Sequence, residues 1–200
     1  MPHQPDFASA QAYALQRLQD ELPPELTYHS LQHTRDDVVP ATERLAAMEN
    51  VTATDLMLLL TAAYFHDIGF VIRRDEHEAE SMRIAAAILP TFGYDAAQIE
   101  IINAMIQATR LPQLPRHHLD EILADADLDS LGRQDFWARS LALRLELSHF
   151  GEKISDREWY QRQIRFLGAH HYFTASARGL RDAQKQRNLD WLVEQLACLD

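Results

Sequence analysis

Residues 56–70, LMLLLTAAYFHDIGF, decide how the rest of the chain is read. The run LMLLLTAAYF at 56–65 is too short to cross a hydrocarbon layer of about 30 Å. It is expected as a core helix, with Thr54 placed to cap it and Gly69 placed to end it. The last turn then carries His66 and Asp67 into apolar surroundings, where an ionisable pair is costly unless it is paired or ligates a cation. Adjacent helical residues diverge by about 100°, so both can face one ion only where the helix ends or bends. Gly69 supplies such an end. The competing reading is a helix C-terminus with a dipole-favoured His and a solvated Asp.

Helical periodicity continues on both sides of this stretch. Phe7–Glu21 carries a stripe of Ala8, Ala12, Leu15 and Leu18 and stops at Pro23-Pro24. Residues 30–48 read as a second helix, with Pro40 as a kink or break. Further helices are expected over 76–89, closed by Pro90, over 96–109, closed by Pro112, and over 119–131, followed by Gly132. Three more apolar-periodic stretches lie near 134–149, 156–173 and 176–198. No stretch alternates with a period of two between turns, and 6 glycines in 200 residues argue against a turn-rich β protein. The expected fold is all-α, one bundle of roughly eight to nine helices over 1–200. Residues 28–132 form its motif region and helices over 134–198 complete it.

Thirty acidic residues against 19 basic ones give a formal charge of −11. Such a field repels nucleic-acid backbones, whose binding depends on Lys and Arg neutralising phosphates, and it disfavours anionic membranes. No nucleic-acid or membrane partner is therefore expected. Cys198 is the one cysteine, so a disulfide framework and a thiolate zinc site within one chain are both excluded. The start MPHQPDFASA has neither a basic segment nor a long apolar one, so a cytoplasmic protein is expected.

The chemistry-bearing residues are histidines and carboxylates. There are ten histidines. His33 lies in YHSLQHTRDDV, with His29 four residues earlier and able to share a helical face. Asp125, Asp127 and Asp129 alternate in EILADADLDSLG. They cannot all occupy one face of a helix, although Asp125 and Asp129 share one through their i, i+4 spacing. Each group taken alone also reads as a solvated polar helix surface or acidic turn. His3 and His149 read as surface residues.

In order, His33, then the pair His66-Asp67, then Asp127 resemble the HD superfamily of metal-dependent phosphohydrolases. YHSLQH, FHDIGF and DADLDSLG around these positions match as well. HEAES at 77–81, ATRLP at 108–112 and WYQRQIRFLGAHHYFT at 159–174 resemble a bacterial subgroup of small HD proteins, some fused to nucleotide-cyclase domains. The resemblance implies that His33, His66, Asp67 and Asp127 hold a divalent ion: Mn, Fe, Ni, Co, Zn or Mg. It implies that Asp67 bridges metals or orients the nucleophile, and it admits a homodimer.

HD proteins with two metals commonly add a His after the pair and another on the next helix. His77 matches the first of these, whereas Ala108 stands at the second and cannot ligate. One ion is therefore expected over two, with His117 or His118 as alternative donors. His77, assisted by Glu78, is otherwise a candidate general acid or phosphate donor. Candidate phosphate-binding cations are Arg73, Arg74 and Arg110, together with Arg178, Arg181 and Lys185, which fall on one helical face. The last three also read as a solvated face. His170, His171, Tyr172 and Thr174 could line the mouth of a pocket or stack on a base, while Trp159, Phe166 and Phe173 read as packing.

The expected function is hydrolysis of a phosphomonoester or phosphodiester of a nucleotide or another small phosphorylated metabolite. The alternative is a regulatory module that binds metal and metabolite with little turnover. The GYP-bearing loop of cyclic-dinucleotide phosphodiesterases is missing, as is the Glu-Asp pair that follows His-Asp in alarmone hydrolases.

Overall fold

In the computed structural model, which describes residues 5–199, the secondary structure among the described residues is helical throughout. The helices are α1 (Phe7–Glu21), α2 (Val39–Met48), α3 (Ala53–Phe65), α4 (His77–Ile88), α5 (Ala96–Thr109), α6 (His118–Asp127), α7 (Phe136–His149), α8 (Asp156–Ala169) and α9 (Ala175–Ala197). Short local signals set many of their starts. Asp6 accepts from Ser9 N at 3.0 Å to cap α1. Reciprocal capping boxes, Asp95 with Gln98 and Ser155 with Glu158, open α5 and α8.

Four expected boundaries move. Thr52, and not Thr54, caps α3, because its Oγ1 accepts from Asp55 N. That helix ends at Phe65, ahead of Gly69, and a 3₁₀ turn over Ile68–Val71 follows. The helix expected over 119–131 stops at Asp127 and tightens into a 3₁₀ turn over Asp129–Gly132. The stretch 156–173 is helical only to Ala169, because Asp125 claims the backbone of Phe173 and Thr174. Pro40 is the second residue of α2 and follows directly on a π-helical turn over His33–Val38, so the expected break is a change of helical geometry.

The apolar run is the heart of the main core. Leu59, Ala62, Ala63 and Phe65 of α3 are fully buried against Ile102, Met105 and Ile106 of α5 and the alanine face of α1. Although residues 53–71 are long and apolar enough to span a bilayer by composition, most of that surface is covered by protein. A second, smaller core joins Leu128, Leu131, Phe136, Leu167 and Leu192, with Trp137 at its edge stacked on Tyr160 and edge-to-face with Trp191. The helix α9 ties the two together, entering the first core at Ala177 and the second at Leu192.

Candidate metal centre and adjoining cavity

Four side chains from three segments meet where α3 ends. The break after Phe65 puts His66 at the last helical position and Asp67 at φ −105°, ψ 4°, outside helical geometry. The two adjacent side chains can therefore converge, as the end of a helix requires. His66 Nδ1 donates to the Ala63 carbonyl at 2.7 Å, which fixes the tautomer and leaves Nε2 free to ligate. His33 enters on the π-helical turn, a geometry that recurs at functional sites. Asp127 arrives from the C-terminal end of α6.

The donors cluster tightly. His33 Nε2, His66 Nε2 and a carboxylate oxygen of Asp127 all lie within 4.8 Å of one another. Asp67 Oδ2 stands 3.2 Å from His66 Nε2 and 3.7 Å from His33 Nε2. His66 Nε2 and Asp67 Oδ2 are buried without a hydrogen-bond partner among the described residues. Buried polar atoms are rarely left so. Two imidazoles and two carboxylates are a donor set suited to a divalent ion, so the residues present fit a metal.

The electrostatics point the same way. Burial opposes charge on all of these groups, and their mutual attraction overcomes it. The Asp127 carboxyl falls to about 2 because His33 Nε2 bonds it at 3.1 Å and the His66 imidazole stands close by, together outweighing burial. Asp67 is held well below the usual carboxylate range by His66 and His77. His66 is raised well above the usual imidazole value by Asp67 and Asp127.

His77 sits on the other side of Asp67, with Nε2 3.4 Å from Asp67 Oδ1 and 3.6 Å from Glu78 Oε1. Its Nδ1 donates to the Arg74 carbonyl at 3.2 Å. Its ring stacks on Phe70 at 3.9 Å, and Phe70 stacks on His29 at 4.5 Å. The residue before His77, Glu76, takes a left-handed φ of 57°, uncommon outside glycine. Ala108 is buried and offers no donor. His117 and His118 stand at the start of α6, roughly 14 Å from Asp127 by helical rise. His118 faces Glu49 and Glu121 there.

The three alternating aspartates have three different jobs, and none of the three is a solvated turn residue. Asp127 joins the cluster. Asp125, fully buried, accepts from Phe173 N, Thr174 N and Thr174 Oγ1, each at 2.8 Å. Asp129 takes a bidentate contact from Arg181 at 2.7 and 2.8 Å.

The cluster opens on a cavity of about 400 Å³. None of the six candidate cations lines it. Arg181 is committed to Asp129, Arg178 to the carbonyls of Tyr172 and Phe173, and Lys185 to the His170 carbonyl at 2.5 Å. Together they anchor α9. Arg73 pairs with Glu76 and Glu80, Arg74 lies over the Phe150 ring, and Arg110 is exposed at the end of α5. The guanidiniums on the cavity wall are those of Arg139 and Arg162, and sequence reading names neither. It also misses His29 as a wall residue, held by buried Glu146 at 2.6 Å across 117 positions. Only a long-range contact reveals that role. Trp159 and Phe166 pack as expected and line the cavity as well. Tyr172 is buried with its hydroxyl on the Leu128 carbonyl, and Thr174 caps α9, so both are structural. His170 and His171 line a neighbouring cavity. His149 is a surface residue against the Glu25 carbonyl, and His3 lies outside the described residues.

Two solved structures share this architecture over nearly their whole lengths. One is a predicted HD superfamily hydrolase from an uncultured Thermotogales bacterium, 19% identical, with a TM-score of 0.64 over 98% of this chain and 94% of that one. The other is a protein of Lactobacillus plantarum, 22% identical, with a TM-score of 0.69 over 99% of this chain and 100% of that one. The chain has the HD-type fold. No protein-family model and no curated protein matches the sequence.

Proposed function

We propose that the protein is a metal-dependent phosphohydrolase acting on a small phosphorylated metabolite. The observation that carries this reading is the pair of buried, unpartnered atoms, His66 Nε2 and Asp67 Oδ2, turned into a ring of His33 and Asp127 donors beside a cavity. When bound, a divalent ion supplies activated water at neutral pH and draws charge from a phosphoryl group. His33, His66, Asp67 and Asp127 would hold it.

The chain's own residues divide the remaining work. Asp67 presents Oδ2 to the histidine pair and Oδ1 to His77, so it can orient a nucleophile between them. Burial lowers the proton affinity of His77, but Asp67 and then Glu78 raise it above the ordinary imidazole value. That direction favours His77 as the donor of a proton to a leaving oxygen. The Arg74 carbonyl and the Phe70 ring hold its orientation.

A regulatory module with little turnover is the second reading, favoured by the donorless Ala108 on α5. A panel of phosphomonoesters and phosphodiesters, each assayed with Mn, Fe, Ni, Co, Zn and Mg, separates the two. Turnover that depends on metal and disappears in His66→Ala supports the hydrolase. Metal binding with no turnover of any ester supports the module.

A further inference from the structure

Beyond the histidine cluster, the walls of the 400 Å³ cavity are hydrocarbon and aromatic: Leu111, Leu131, Phe136, Leu143, Leu147 and Phe166. Most polar groups on these walls are already engaged. Trp159 Nε1 donates to Ser140 Oγ at 3.0 Å. Arg139 is paired with Asp37 and Asp135, and Arg162 with Glu152. Gln163 is different. It lines the cavity at 7% exposure, and its carboxamide makes no hydrogen bond to any described residue. Its Nε2 and Oε1 stay accessible from the cavity, two donors and an acceptor that no neighbouring side chain takes up. A ligand in the cavity can satisfy them.

We propose that the organic part of the substrate is a low-polarity group of ring size, bearing one hydrogen-bonding substituent that Gln163 reads, and that it is neither a sugar nor a nucleoside. The proposal rests on the phosphohydrolase reading for the phosphoryl end alone. A sugar would bury several hydroxyls against leucine and phenylalanine, and the polar side chains on these walls are few and mostly engaged. A nucleobase with its ribose presents donors and acceptors on several edges, and a single carboxamide answers only one of them. An apolar ring instead buries its faces favourably against these walls. A neighbouring cavity shares Leu111 and Phe166 and adds Pro112, Ala169 and Phe173, so the apolar surface continues away from the cluster. The net charge of −11 further opposes polyphosphate chains.

The test uses neutral probes without a phosphoryl group, so that it depends on neither metal nor hydrolysis. The full chain is titrated calorimetrically with 2-naphthol, 2-methylnaphthalene and adenosine. We expect 2-naphthol to bind at least about tenfold more tightly than adenosine and about tenfold more tightly than 2-methylnaphthalene, the second ratio matching one hydrogen bond. Gln163→Met, close in volume, should erase the second ratio and leave 2-methylnaphthalene unaffected. Should that variant not fold, the two wild-type ratios decide alone. Adenosine binding as tightly as 2-naphthol overturns the proposal, as do equal affinities for the two naphthalenes or no binding of either. A separate assay of 2-naphthyl phosphate with each divalent metal addresses the hydrolase reading. Silence there sinks that reading and leaves the binding ratios to judge the cavity.

Discussion

His66 Nε2 stands 3.2 Å from Asp67 Oδ2, and both atoms are buried without a hydrogen bond. The two residues are neighbours in the chain, yet their side chains converge because α3 ends between Phe65 and Asp67. A fold that removes two such atoms from water leaves them costly unless a third party joins them. The remaining valences of His33 and Asp127 face the same point, so one divalent ion would satisfy all four groups.

Metal content is therefore the first expected outcome. Chain made without an affinity His-tag should carry about one equivalent of divalent metal by elemental mass spectrometry. His66→Ala and Asp127→Ala should lose it, because each removes a ligand. His77→Ala should keep it and lose roughly 100-fold or more in kcat, the usual scale for a general acid. Two equivalents in wild type, with one lost in His77→Ala, would make His77 a ligand. No metal after reconstitution would remove the basis of the hydrolase reading.

Two glycines should respond in opposite directions. A Cβ on Gly69 would fall 1.9 Å from the His77 carbonyl oxygen and 2.8 Å from Ser81 N, both backbone atoms that cannot swing aside. Gly69→Ala should cost about 2–3 kcal/mol by overpacking and should displace His77. A Cβ on Gly179, inside α9, meets nothing within 4 Å. Gly179→Ala should add about 0.5–1 kcal/mol through helix propensity. Urea denaturation of the two variants gives both signs, and a neutral Gly69→Ala would mean that α4 is free to shift.

Much of this architecture is legible in the sequence where the signal is local. The bounds of α1 and α5 match those expected, and the unbroken apolar run announces α3 though not its ends; in α1 the buried face is Ala10, Ala14 and Leu18, where Ala8, Ala12, Leu15 and Leu18 are expected. The ligand candidates are legible as an ordered motif through its resemblance to the HD superfamily, because His33 and Asp127 taken alone read as polar helix surface and acidic turn. Signals that depend on distant partners are not. Asp125, Asp127 and Asp129 look alike in the chain, and only the positions of Thr174, His66 and Arg181 tell them apart. Arg178, Arg181 and Lys185 fall on one helical face as expected, but that face is docked against Asp129 and residues 170–173. Gln163 and Arg139 reach the cavity only because α7 and α8 close over it, and nothing in their neighbours along the chain announces that placement.

Asp125 offers a test of how α9 is held. Its carboxylate accepts three hydrogen bonds at 2.8 Å from Phe173 and Thr174, directly before α9 begins. Asp125→Ala would strand two buried backbone donors and a hydroxyl, at about 3 kcal/mol or more in lost stability. Because α9 joins both cores, the loss should appear as a lower midpoint in thermal unfolding followed by circular dichroism. If the midpoint stays within a degree or two, water has replaced the carboxylate and the anchor lies elsewhere.

His170 should make the fold acid-sensitive. Its ring is largely buried, with Nε2 unpartnered and Nδ1 3.3 Å from the Lys185 ammonium. Burial first, then the charges of Lys185 and His171, push its pKa down to about 3 from the ordinary 6.5. Between those values the unfolded chain binds a proton that the folded chain refuses. Stability from this group is therefore complete above about pH 6.5 and declines as pH falls toward 3. His170→Gln cannot take up that proton in either state, so its urea midpoint should fall less steeply than wild type between pH 6.5 and 4. Carboxylates elsewhere contribute equally to both proteins, which makes the difference in slope the quantity to measure. Parallel slopes would show that His170 is protonated in the folded chain and that Lys185 gives way to accommodate it.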